Sequence, residues 1–163
     1  MQSAFIQRVV AAMEKHGVKY SIVGGFAVSL HGAVRGTVDV DAVINHTKDQ
    51  FERCEAALKS IGLQPRLPVA AAEVFEFRSE YIKKRNLIAW SFINYNNPLE
   101  IVDIIITHDL QKMKAVRLKV GGKGIEVLSI KDLIRMKGDS GRPQDLEDIK
   151  SLNEILRESP DEG

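Results

Sequence analysis

Two adjacent glycines, Gly24 and Gly25, are followed after thirteen intervening residues by an Asp39-Val40-Asp41 triplet, and a further acid, Asp103, interrupts the apolar run Ile101-Val102-Asp103-Ile104-Ile105-Ile106. In an extended strand, residues two apart project from one face, so Asp39 and Asp41 present two carboxylates side by side while Val38 and Val40 point the other way. Adjacent anions repel unless a cation lies between them. Asp103 adds to the demand, because an unpaired charge in an otherwise apolar strand is costly. Hard oxygen donors, with no neighbouring cluster of Cys or His, favour Mg²⁺ or Mn²⁺ over zinc. Glu100 competes for the third position, but it sits at the strand's entrance, three residues from Asp103, and therefore on the opposite face.

The glycines suit a different partner. Phosphate oxygens must come close to backbone N–H groups, and a Cβ at either position would obstruct the approach or the φ values it needs. A helix opening at Phe26 would add its N-terminal dipole. Alone, a glycine pair is usually a plain turn and an Asp-x-Asp is usually structural; the third acid on a later strand joins them into one site. Gly121-Gly122-Lys123-Gly124 lacks the spacing and the Lys-Ser/Thr pair of a phosphate-binding P-loop and reads as a turn.

Periodicity and capping signals supply the elements that must position these groups. Phe5, Val9, Ala12, Met13 and His16 fall at helical spacing ahead of Gly17, and a strand follows over 18–23. The glycines turn the chain into a short helix over 26–31, and a strand over 37–44 carries the two aspartates. Thr47 with Gln50 resembles a capping box opening a helix that stops at Gly62. Residues 69–85 read as helical, with Val74-Phe75-Glu76-Phe77 able to begin a strand instead. Strands over 87–95 and 99–107 are joined by Asn96-Asn97-Pro98, a hairpin by turn chemistry. Asp109 caps a short helix to Ala115. Strands over 116–120 and 125–128 flank the Gly-rich turn, and Ser129 with Asp132 caps a helix to Lys137. A last helix over 143–158 sets Leu146, Ile149, Leu152, Ile155 and Leu156 on one face. This order is mixed α/β: a short mixed sheet flanked by helices over residues 1–108, with a hairpin and helices over 109–163 packed on that core as one compact domain.

Bulk properties narrow the function classes. With 163 residues, 44% hydrophobic and 28% charged, the chain can bury a sizeable core. No apolar run approaches the length of a bilayer span, no signal-peptide pattern opens the chain, and a single cysteine, Cys54, read as helix packing, suits a cytoplasmic location. A net charge of +1 argues against a protein that coats nucleic acid nonspecifically. Nine basic residues face three acids between Lys112 and Arg142, whereas seven acids face two basic residues from Pro143 onward. Both stretches read as solvated faces, with the basic one also able to serve a polyanionic substrate. Lys137 and Arg142 flank Gly138-Asp139-Ser140-Gly141, so either could reach an anionic ligand or belong to that face. His31 reads as packed; His16, His46 and His108 as surface or cap residues; Met113, Met136 and Trp90 as core.

The segment from Tyr20 to Gly32, Tyr-Ser-Ile-Val-Gly-Gly-Phe-Ala-Val-Ser-Leu-His-Gly, with Arg35-Gly36-Thr37-Val38-Asp39-Val40-Asp41, resembles the signature of the DNA polymerase β-type nucleotidyltransferase superfamily. Its minimal, AbiEii-like and aminoglycoside or lincosamide nucleotidyltransferase-like branches are nearest in pattern. Asp103 extends the resemblance, and Asp132-Leu133, Lys137, Arg142, Asp145 and Asp148 extend it more faintly. The resemblance implies the nucleotidyltransferase fold and a two-metal transfer of a nucleoside monophosphate from an NTP such as ATP, with release of pyrophosphate. Asp39, Asp41 and Asp103 would be catalytic and would hold Mg²⁺ or Mn²⁺, Asp103 also serving as base. Gly24, Gly25, Arg35, Thr37 and Lys137 would line the triphosphate. The acceptor could be a small molecule, as in antibiotic modification, an RNA end, or a protein hydroxyl as in toxin–antitoxin relatives. No second large domain defines an acceptor pocket, which leaves a homodimer or partner protein to complete it. The competing reading is a noncatalytic, antitoxin-like or regulatory subunit of the same fold, which retention of all three acids opposes; a nucleic-acid-binding module would rest on the basic stretch alone.

Overall fold

Residues at helical spacing bury Phe5, Ile6, Val9, Val10, Ala12 and Met13 on one side of α1 (Gln2–Lys15), which leads into β1 (Tyr20–Val23). The computed structural model describes residues 2–158, with side chains from Ala4 onward. After α2 (Gly24–Leu30) and β2 (Val40–Ile44) come α3 (Lys48–Ser60), β3 (Gln64–Pro65), α4 (Ala71–Glu76) and α5 (Arg78–Arg85). The hairpin β4 (Ala89–Asn94) and β5 (Asn97–Ile105) precedes the hairpin β6 (Ala115–Val120) and β7 (Lys123–Leu128), then α6 (Ile130–Ser140) and α7 (Pro143–Glu158). All seven strands form one mixed sheet in the order β3-β4-β5-β2-β1-β7-β6. β2 runs parallel to β5 and antiparallel to β1, and β1 runs parallel to β7, so the C-terminal hairpin extends the sheet of the N-terminal part.

The two faces of this sheet differ in chemistry. On one, Val40, Ala42, Ile44, Val102, Ile104, Trp90 and Phe92 are sealed from solvent. α3 brings Phe51 to stack on Trp90 with ring centroids 5.6 Å apart, and Phe75 of α4 meets Phe51 edge-on at 5.5 Å. α1 packs against α3 on the same side. On the other face, register makes Val23, Asp41, Asp103 and Ser91 successive partners across β1, β2, β5 and β4. Three polar groups, Asp41, Asp103 and Ser91, thus stand side by side in the middle of the sheet.

Several elements depart from the expectations drawn from sequence. β2 begins at Val40 rather than at Thr37, which leaves Asp39 on a bend just before the strand. The pairing runs out because β1 turns away directly after the Val23–Asp41 pair, at Gly24 with φ of +68°. The first hairpin turns at Tyr95-Asn96, and Asn97-Pro98 already belong to β5. Pro98 is accommodated there because the register shifts at Ile93/Asn94 and interrupts the regular ladder. The 69–85 helix divides at Phe77 into α4 and α5, and the stretch around Pro65 supplies the short β3. Asp109 caps only one 3₁₀ turn (Leu110–Lys112), accepting from the Gln111 N–H at 3.0 Å and the His46 N–H at 3.1 Å. The caps at Thr47 and Ser129 form as expected, each accepting from a backbone N–H three residues on. Gly121 and Gly122, with φ of +58° and +82°, make the two-residue turn of the second hairpin. On α7 the buried stripe is Asp145, Asp148 and Leu152, whereas Leu146 is 59% exposed. Apolar spacing alone missed it because two of its members are acids.

Candidate active site

The site starts where β1 stops. A Cβ built on Gly24 would collide with Asp41 Oδ2 and lie 2.9 Å from Asp41 Cβ and Cγ, so the Asp41 side chain rests directly on the glycine. A Cβ on Gly25 would meet Thr37 Cβ and Oγ1 at 2.8 Å and Arg35 Cζ at 3.4 Å. The pair is therefore needed for close approach as well as for the left-handed turn at Gly24. Ser29 of α2 holds the loop by donating to the Arg35 carbonyl at 2.7 Å.

Charge is crowded beside the glycines. Asp41 is the direct partner of Asp103 on the neighbouring strand. Burial, then the charges of Asp103 and Asp39, push the Asp41 carboxyl up to about 7, against the opposing pull of Lys137 and Arg142. Asp39 is raised by burial and by Asp103, with Arg66 acting the other way. Asp103 Oδ1 accepts from the Ser91 hydroxyl at 2.5 Å, which fixes its orientation. Glu100 is engaged elsewhere: Arg8 donates to both its oxygens at 2.9 Å and Asn94 donates to Oε1. Among the described residues no three His, Cys, Asp or Glu side chains are gathered tightly enough to hold an ion as they stand. The donor chemistry of the Asp41–Asp103 pair nevertheless fits a divalent cation: hard oxygens only, and a like-charge strain that a cation would relieve.

Opposite the acids stands a group of cations on a buried ionic frame. Lys137, expected by charge pattern on a solvated face, has a side chain only 8% exposed; its Nζ donates to Asp148 Oδ2 at 2.9 Å and lies 3.7 Å from Asp145 Oδ1. α6 and α7 pack together here, and Lys137 is buried on α6 along with Ile130, Asp132 and Leu133. Arg142, 70% exposed, pairs with Asp145 through Nε at 2.9 Å. Arg35 Nε donates to Asp148 Oδ1 at 3.0 Å.

Two cavities of about 260 Å³ each flank Asp41 and share Gly24, Lys137 and Arg142 with it. One is polar and adds Gly25, Arg35, Thr37 and Asp39. The other adds Ile88, Ile105, Leu133, Met136, Thr107 and His108. Of the residues expected to be catalytic or to line the triphosphate, all except Asp103 thus line one or both cavities, and Asp103 adjoins them through Asp41.

Sequence reasoning missed Ser91, His108 and the ionic roles of Asp145 and Asp148. Only cross-strand register singles out Ser91. His108, expected at the surface or in a cap, bridges Thr107 Oγ1 at 2.8 Å and Asp139 Oδ2 at 3.2 Å across the apolar cavity. His46 was expected to behave similarly, but its ring packs on Phe51 with centroids 5.6 Å apart and Nε2 is buried without a partner; burial, aided by Arg78, lowers it to about 4. His31 packs as expected, with Nε2 2.8 Å from the Leu128 carbonyl oxygen. Trp90 is core, whereas Met113 and Met136 are half-buried at its margin.

Solved structures share this architecture. The antibiotic-resistance factor ANT(2'')-Ia is 15% identical, with 96% of this chain and 83% of that one covered at a TM-score of 0.64. The lincosamide antibiotic adenylyltransferase LnuA in its lincomycin-bound form is 15% identical over 93% and 96% of the two chains, with a TM-score of 0.61. An antigenic nucleotidyltransferase-like protein from Paracoccidioides brasiliensis is 19% identical over 91% and 74%, with a TM-score of 0.54. Comparison with curated proteins finds no match. At these identities the likeness establishes the nucleotidyltransferase fold. The family described as "Nucleotidyltransferase of unknown function (DUF6036)" matches residues 4–159, and the chain belongs to it.

Proposed function

We propose that the protein transfers a nucleoside monophosphate from an NTP to a hydroxyl acceptor and releases pyrophosphate, with Mg²⁺ or Mn²⁺ held by Asp39, Asp41 and Asp103. The observation that carries the reading is Asp41, register partner of Asp103, seated on Gly24 and sharing a polar cavity with Lys137, Arg35 and Arg142. Anions converge on one side and cations on the other, which suits a triphosphate with its metal between them. When bound, the metal would neutralise phosphate charge and make the acceptor hydroxyl more acidic.

The chain's own residues divide the remaining work. Gly24 and Gly25 leave room for phosphate oxygens, and Thr37, Arg35, Lys137 and Arg142 supply donors on the polar side. The apolar cavity would exclude water beside the reacting phosphorus. Asp103 would accept the acceptor's proton at Oδ2, since Ser91 occupies Oδ1. The acceptor oxygen forms its bond to the α-phosphorus as the bond to the β-phosphate breaks and pyrophosphate departs. The acceptor is a hydroxyl of a small molecule, an RNA end or a protein, and a homodimer or partner protein would complete its pocket. ANT(2'')-Ia and LnuA are antibiotic-linked proteins of this fold, which favours testing small molecules first.

Incubation with Mg²⁺, each labelled NTP and a cell extract, followed by mass spectrometry, tests the reading and identifies the acceptor. A nucleotidylated product is expected with the wild type and not with Asp41→Ala. Mg²⁺-dependent NTP binding that survives both Asp39→Ala and Asp41→Ala would overturn the site assignment.

A further inference from the structure

The buried stripe of α7 contains a carboxylate with an unusual load. Asp148, with a side chain 3% exposed, accepts from Arg35 Nε at 3.0 Å and Gln144 Nε2 at 3.1 Å on Oδ1, and from Lys137 Nζ at 2.9 Å on Oδ2. Three donors from three segments meet on one side chain: the loop ahead of β2, α6 and α7 itself. Burial alone would raise this carboxyl, yet the hydrogen bond and charge of Lys137, with the bonds from Gln144 and Arg35, hold it below its ordinary range.

Arg35 and Lys137 lie 102 positions apart in the chain yet line the same polar cavity beside Gly24, Gly25 and Asp41. Neither reaches that place by local structure. Arg35 sits in a loop without ladder partners, tied by Ser29 at its carbonyl and by its own contact to the Gly36 carbonyl. A long cation on such a loop has many rotamers to lose on ligand binding. Asp148 removes that freedom beforehand by taking Nε; among the described residues Arg35 Nη2 has no protein partner, so one edge of the guanidinium is left for a ligand. Lys137 is oriented in the same way, with Asp145 as its second, longer contact.

We propose that Asp148 is a positioning residue for the triphosphate: from the C-terminal helix it sets Arg35 and Lys137 toward the phosphate end of the site. It touches neither substrate nor metal and acts through those two cations. The inference rests on the nucleotidyl-transfer reading and adds α7 to the machinery, a helix whose contribution would otherwise be packing. It also accounts for a buried acid at Asp148, on a helix whose apolar spacing pointed to Leu146 and Ile149 as the inward positions.

The test is calorimetric titration of the four NTPs and of the matching nucleoside monophosphates, each with Mg²⁺, into wild type and Asp148→Asn. The variant is expected to lose about tenfold or more in affinity for the NTP that binds the wild type, with less than about threefold lost for its monophosphate. Adding Lys137→Met to Asp148→Asn should cost far less than Lys137→Met alone, because the two act as one unit. Unchanged NTP affinity in Asp148→Asn, or equal losses for NTP and monophosphate, would overturn the proposal while leaving the transferase reading intact. A wild type that binds no NTP would overturn both. If Asp148→Asn does not fold, Asp148→Glu keeps the charge but displaces it by a methylene. The same selective loss of NTP affinity is then expected, and an unselective one refutes the role.

Discussion

The two faces of the central sheet are built from neighbouring residues of the same strands and do opposite things. One buries Val40, Ala42, Ile104, Trp90 and Phe92 without exposure and is closed by α1, α3 and α4. The other sets Asp41, Asp103 and Ser91 side by side across three strands, with Asp41 lining two cavities together with Lys137 and Arg142. A period of two lets one strand serve both purposes, so the apolar face can supply stability that the charged face consumes. Asp41 shows that consumption: its carboxyl is pushed up to about 7 because burial and then two like charges oppose ionisation.

This division can be broken from either side. The largest effect is expected at the charged face: Asp41→Asn or Asp103→Asn should lower transfer by roughly a thousandfold or more while circular dichroism and Tm show an intact fold. Loss of fold in both variants would mean that the acids serve structure. On the apolar face, Trp90→Ala should cost about 3–5 kcal/mol in denaturant unfolding, since it empties the aromatic stack with Phe51 and Phe92. NTP affinity, measured where that variant is still folded, should be nearly unchanged; a large loss would couple the faces.

Protonation separates them more finely. Folded Asp41 keeps its proton up to about pH 7, whereas an unfolded aspartate releases it near 3.8, so the metal-free protein should lose stability as pH rises between those values. About 2 kcal/mol is expected once the shift is halved for water penetration. Mg²⁺, or Asp41→Asn, should flatten the curve, and unfolding measured from pH 4 to 8 with and without metal decides it. A smaller effect is expected at Gly24→Ala, where strain at φ +68° and the collision with Asp41 should cost roughly 1–3 kcal/mol. NTP affinity should fall in parallel, and a variant neutral in both would show that Asp41 does not depend on the glycine.

Much of the charged face was legible in advance because its signals are local. Gly24-Gly25 marks a turn by backbone chemistry, Asp39-x-Asp41 by spacing, and Asp103 by being the one acid in an apolar run. Thr47, Ser129 and Gly121-Gly122 likewise announced caps and a turn through short-range hydrogen bonds and positive φ. The misreadings cluster where distant segments decide. Asp39 lies on a bend because β1 departs at Gly24, and no pattern within residues 37–44 encodes that departure. Lys137 and Asp148 each look solvated when read alone, and they become buried only in one another's company.

By itself, the chain therefore determined the chemistry available: three acids, a glycine turn, and strands and helices of recognisable period, all set by interactions among residues a few positions apart. Only the tertiary structure decided which of those groups meet. Pairing Asp41 with Asp103 required the parallel register of β2 and β5, and gathering Arg35, Lys137 and Arg142 required two buried carboxylates on the last helix. The physical reason is that burial of charge is favourable only when compensated, and the compensating partners here lie far along the chain.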